Sequence, residues 1–140
     1  MMIGTHAIHH WSSTQSVVAL SSAEAELNAI VKSVSELLGL KNALAEFGLE
    51  VAVEVCTDSS AANGIVHRQG CGKVKHLECR QLWVQSKTSE GVVKCMKIPR
   101  EANPGDAFTH YWNLADGMKH FSKIGLYGHN HPSVFNTNDL

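Results

Sequence analysis

Glu26, Asp58 and Asp106 are the side chains of this sequence best suited to doing chemistry together. Carboxylates brought to one place repel each other unless a cation sits between them. Their hard oxygen donors suit Mg²⁺ or Mn²⁺. A pair of such ions, about 3.5–4 Å apart, can activate a water and stabilise the leaving oxygen of a phosphodiester. A simpler reading stands beside this one. An acid in the first turn of a helix favours the helix dipole, and an aspartate after a strand is a common cap. Spacing alone does not choose between them.

Other residues weigh less. Arg68, Lys73, Lys75 and Arg80, with His76, form a basic group that could lie against phosphates or be a solvated helix face. His67, Cys71, His76 and Cys79 match neither a zinc finger nor a zinc knuckle, and no CxxC pair occurs. The four cysteines, Cys56, Cys71, Cys79 and Cys95, read as free thiols at irregular spacing. His110 could carry a proton, although a surface histidine is the plainer reading. His6, His9, His10, His129 and His131 are expected in solvent, and Trp11, Trp83 and Trp112 in packing roles.

The elements must bring the three acids together. Thr5 to Leu20 is rich in Thr, Ser, Val and Ile, and reads as an extended strand. Ser21 and Glu24 have capping-box spacing, and Leu27, Ile30, Val31, Val34, Leu37, Leu38 and Leu44 follow at helical spacing. Gly48 is a natural stop. Val51–Thr57 is a β-branched run, expected inside a sheet, and Asp58 after it could cap a helix over Ser60–Arg68. The glycines near 70 mark a loop. A second helix is expected over Val74–Ser86 with Leu77, Leu82 and Trp83 as its apolar residues, then a strand over Val92–Ile98. Asn103-Pro104 should start a last helix running from about Gly105 to Phe121, with Asp106 in its first turn. Alternating strands and helices predict an α/β domain with helices flanking a mixed sheet, over residues 1–124. The Gly, His, Asn, Pro and Ser of 125–140 read as a poorly ordered tail.

Composition bounds the function. A chain with 44% hydrophobic and 18% charged residues is ordinary for a globular domain. No stretch reaches the roughly 20 apolar residues of a membrane span, and no signal peptide stands at the start, so an intracellular protein (cytoplasm or nucleus) is expected. The net charge of −1 argues against simple non-specific polyanion binding but not against a nuclease, whose bound cations supply positive charge.

Several segments resemble the ribonuclease H domain that ends copia-type retrotransposon polyproteins. Trp11-Ser12-Ser13-Thr14-Gln15 and the run Val18 to Glu26 are similar to that family's WSSKKQ…VALSSTEAE signature. Cys56 to Ala61 resembles its CDNQSA segment, Lys75 to Glu78 its KHIDI segment, and Asn103 to Thr109 its ADILTK segment. They occur in the family's order, over roughly Ile8 to Phe121. The resemblance implies a ribonuclease H-like fold, a mixed sheet with flanking helices, here without the family's first two strands. It also implies Glu26, Asp58 and Asp106 as catalytic, metal-binding acids. Glu26 rather than Glu24 matches, because Glu26-Leu27 falls where the general pattern has Met-Glu-Leu. It implies two Mg²⁺ (or Mn²⁺) ions, no small-molecule cofactor, and no membrane. The implied partners are an RNA–DNA hybrid, contacted by Lys73, Lys75, His76 and Arg80, and upstream reverse transcriptase segments of a polyprotein. The family's further aspartate, in a first-strand motif like DADWAG, has no counterpart in residues 1–140. The expectation is therefore an RNA-strand endonuclease that is weak or inactive as this chain, or a non-catalytic remnant with a structural or interaction role.

Overall fold

The computed structural model describes residues 1–70, 79–105, 111 and 113–126. In chain order the elements are β1 (Met2–Ile3), β2 (His6–Ala7), α1 (Ser22–Glu46), β3 (Val53–Thr57), α2 (Ser60–His67), α3 (Cys79–Ser89), β4 (Val93–Lys97) and α4 (Leu114–Ser122). They fall into two compact units, one made of Met1–Ser13 with Arg100–Leu140 and the other of Thr14–Pro99. The class is α/β, with small sheets and flanking helices.

The Thr14–Pro99 unit holds both described acids. α1 begins where the capping spacing puts it: Ser21 Oγ accepts the Glu24 N–H, and Glu24 Oε2 accepts the Leu20 N–H. It ends in a Schellman motif, in which the Gly48 N–H reaches Ala45 O and the Leu49 N–H reaches Leu44 O. Gly48 sits at φ +74°, a conformation that any side chain would strain. Leu27, Ile30 and Val34 form the buried face of this helix.

β3 and β4 pair in parallel, in register from Val53↔Val93 to Thr57↔Lys97. Val53, Val55, Val93 and Cys95 face the core, where Leu27, Ile30, Val34, Ala62, Ile65, Val66 and Val84 of the three helices cover them. The other face is in solvent: Glu54, Cys56 and Lys94 are exposed, with Lys94 Nζ 3.0 Å from Glu54 Oε1. The sequence placed the Val51–Thr57 run inside a sheet. Among the described residues β3 has one strand neighbour and one covered face.

The long first strand does not form. Only His6–Ala7 is extended and paired, and Val18 and Leu20 are 85% and 72% exposed. A β-branched run becomes a strand only where a ladder accepts its N–H and C=O groups. Ile8 and His9 exchange hydrogen bonds with Met1, but among the described residues no strand pairs with 10–20. α3 also differs. Its buried residues are Gln81, Val84 and Gln85, while Leu82 and Trp83 are half-buried and Leu77 lies outside the described residues.

In the other unit β1 and β2 form a hairpin, and the Ala7 N–H donates to Ile124 O at 3.0 Å. Gly125, at φ +76°, lies against the hairpin turn so closely that a Cβ would come 3.1 Å from Thr5 O. The last helix does not run unbroken from Gly105 to Phe121, because Tyr111 and Asn113 are not helical. α4 starts instead at its own cap: Asn113 Oδ1 accepts the Asp116 N–H, and Asn113 Nδ2 donates to Asp116 Oδ2. At Asn103-Pro104, where the sequence predicts the start of the last helix, Asn103 Oδ1 accepts the Gly105 N–H. Residues 127–140, most of the expected tail, lie outside the described residues.

Candidate functional site

Asp58 follows β3 directly, at the C-terminal end of the strand, where open α/β sheets tend to place ligands. It does not cap α2. Ser59 does so, its Oγ accepting the Ala62 N–H at 3.2 Å. The capping role that offered a plain explanation for Asp58 is therefore filled by its neighbour. Asp58 is half-buried, and its carboxylate has no hydrogen bond or ion pair with any described residue.

The two glutamates at the start of α1 divide in the same way. Glu24 is the acid of the first turn and serves the cap. Glu26 lies beyond that turn, outside the reach of the strongest dipole effect, and makes no hydrogen bond or ion pair with a described residue. Although Glu26 as a whole residue is exposed, partial burial of its carboxyl pushes the pKa above the ordinary carboxylate value. The negative charge of Asp58 pushes it further in the same direction. The two acids therefore come from elements packed against each other, and the charge of Asp58 acts on Glu26. Such a pair of oxygen donors, mutually repelling and otherwise unengaged, suits a hard divalent cation whose other ligands are water.

The turn that carries Asp58 is held on both sides. Thr57, 4% exposed, accepts the Ser59 N–H on its Oγ1 at 3.1 Å, and its carbonyl accepts the Ile98 N–H at 2.9 Å. Farther along, Gln85 Nε2 donates to Ile65 O and Gly70 O, and Gln81 Nε2 donates to Asn28 Oδ1. The sequence reading missed these three residues. Thr57 read as the end of a strand and the two glutamines drew no reading, and only burial distinguishes them.

Asp106 lies outside the described residues, as do Lys73, Lys75, His76, Cys71 and His110. Arg80 is exposed in the first turn of α3. Cys56, Cys79 and Cys95 are free thiols, the first two exposed. His67 Nδ1 lies 2.9 Å from Asn63 O. Among the described residues no three His, Cys, Asp or Glu side chains gather as a metal site, so the described acids form a pair and not a triad. No described helix is long and apolar enough to cross a membrane.

By fold and site this is an α/β protein with one carboxylate, Asp58, at the end of a parallel strand pair and a second, Glu26, on a helix packed against it, within reach of the first one's charge. Over 105 residues, 74% of this chain, it is 32% identical to the "Retrovirus-related Pol polyprotein from transposon TNT 1-94" of Nicotiana tabacum. The chain spans about 8% of the length of that polyprotein. The similarity supports a retrotransposon origin for the segment. No protein-family model matches the chain, and no solved structure matches it.

Proposed function

We propose that this chain is a ribonuclease H-type segment of a copia-type retrotransposon polyprotein, whose activity is metal-dependent cleavage of the RNA strand of RNA–DNA hybrids. The observation that carries the reading is that Glu26 feels the charge of Asp58, while Glu24 and Ser59, the neighbours of the two acids, do the capping. The resemblance of the VALSSAEAE run, and the similarity to a transposon polyprotein, support it.

In this reading Glu26 and Asp58, with Asp106, hold Mg²⁺ or Mn²⁺. The bound ion supplies a water activated for attack and positive charge for the phosphate. The chain's own part is to hold the two carboxylates on rigid elements, α1 and the end of β3, so that their repulsion is already present before the ion arrives. Lys73, Lys75, His76 and Arg80 are assigned to phosphates of the hybrid, which sets register without reading sequence. Upstream reverse transcriptase segments are the proposed covalent neighbours. Three acids are fewer than the resembled family uses, so cleavage by this chain alone is expected to be weak.

Calorimetric titration with Mg²⁺ and Mn²⁺, comparing the wild type with Asp58→Asn, tests the site. Binding that disappears in the variant supports the reading, and the absence of binding in the wild type sinks it. A second reading, a non-catalytic remnant with a structural or interaction role, draws on one observation. Parallel sheets are usually covered on both faces, and here one face of the β3–β4 pair stays in solvent among the described residues. Metal-dependent cleavage of hybrid that is lost with Asp58→Asn would exclude it.

A further inference from the structure

The carboxylate of Asp58 is engaged by nothing described, yet the residues on both sides of it are held by hydrogen bonds. On one side the Thr57 carbonyl accepts the Ile98 N–H at 2.9 Å, which extends the β3–β4 ladder to the last residue before the acid. On the other side Ser59 is fixed twice. Its N–H donates to Thr57 Oγ1 at 3.1 Å, and its Oγ caps α2 through the Ala62 N–H at 3.2 Å. Thr57 thus holds the turn from both ends of Asp58, by its carbonyl to the neighbouring strand and by its hydroxyl across the acid.

We propose that Thr57 is a positioning residue for Asp58: its buried hydroxyl fixes the turn that carries the Asp58 carboxylate. This inference rests on the reading of Glu26 and Asp58 as a cation-holding pair. The residue type fits the role. Thr57 is 4% exposed in the core-facing register of β3, a place that valine, which also occupies Val53 and Val55, would fill as well for packing. Valine has no acceptor for the Ser59 N–H. A hydroxyl at a core-facing strand position costs desolvation unless it is satisfied, and here what satisfies it is the turn that carries the acid. Groups that orient a metal ligand without touching the ion typically matter by about 10–100-fold in metal affinity.

The test is Mn²⁺ titration of the whole chain, as wild type, Thr57→Val, Thr57→Ser and Val55→Ala, with thermal unfolding recorded for each. Thr57→Val keeps the packing and loses the acceptor, and should bind Mn²⁺ at least about tenfold more weakly. Thr57→Ser keeps the acceptor and loses a buried methyl, and should be the less stable of the two yet bind like wild type. Val55→Ala should lose stability and keep affinity. That crossing of stability against affinity is what a purely structural role could not produce. Wild-type affinity in Thr57→Val, a parallel loss in Val55→Ala, or a Thr57→Val chain that fails to fold overturns the positioning role alone. A wild type that binds no Mn²⁺ overturns the carboxylate pair, and this inference with it.

Discussion

Replacing Gln85 by leucine should destabilise the Thr14–Pro99 unit, although it puts an apolar residue into an apolar core. Gln85 is 6% exposed on α3, and its Nε2 donates to Ile65 O at 2.9 Å and to Gly70 O at 3.1 Å. Both partners are carbonyls, which can only accept, so the orientation of the amide is fixed by its surroundings. Ile65 lies in the last turn of α2, whose final carbonyls have no partner within the helix. One side chain therefore satisfies the exit of α2 and the turn that follows it. A buried acceptor left unpaired costs about 1–3 kcal/mol, towards the lower end for the partly buried Gly70 carbonyl. Leucine offsets part of this through added apolar burial, on the order of 1 kcal/mol. The net loss should be about 1–3 kcal/mol, or roughly 5–15 °C in unfolding midpoint for a unit of this size. Urea unfolding measures the loss, and amide exchange should place it at the end of α2. Gln85→Glu sharpens the test. At neutral pH it aims a carboxylate at two carbonyls and should be worse than leucine, and at acid pH its protonated form can donate once and recover part of the loss. A Gln85→Leu chain within about 0.5 kcal/mol of wild type would refute the idea that these two carbonyls need a donor.

Three further outcomes follow from the same contacts. Leu27→Ala, at a position with 0% exposure where α1 meets the sheet, should cost about 2–5 kcal/mol in urea unfolding, and a loss below 1 kcal/mol would mean that the core is looser than described. Gly48→Ala should lower stability by about 1 kcal/mol, because φ +74° strains any Cβ although the space around it is open; an unchanged midpoint would show that the helix end relaxes. Glu26 has a raised pKa in the folded state, so its contribution is fully present below the ordinary carboxylate value and is lost as pH rises through the raised one. Without metal, Asp58→Asn removes part of that upward push and should raise the thermal midpoint at pH 7, with the gap to wild type closing in acid; a lower midpoint at pH 7 would count against the repulsion.

The sequence by itself determined what depends on near neighbours in the chain. The start of α1 was readable because Ser21 and Glu24 are three residues apart, and its end because Gly48 can adopt the left-handed conformation. Glu26 and Asp58 were legible as residue types and positions, and so were the plainer alternatives, a helix-dipole role for an acid at the start of α1 and a cap for Asp58. Tertiary structure decided what depends on distant partners. Thr5–Leu20 has a strand's composition, but among the described residues only His6–Ala7 pairs with another strand. Asn113 took the cap of α4 through Asp116, which broke the helix expected to continue from Gly105. Gln81 and Gln85 were placed inside because the carbonyls and amide they satisfy belong to other elements. Whether two acids 32 residues apart repel each other is likewise a matter of distance in space, which no local pattern encodes. Local hydrogen bonds and backbone preferences are written over three or four residues, whereas burial, strand pairing and charge repulsion exist only once the chain has folded back upon itself.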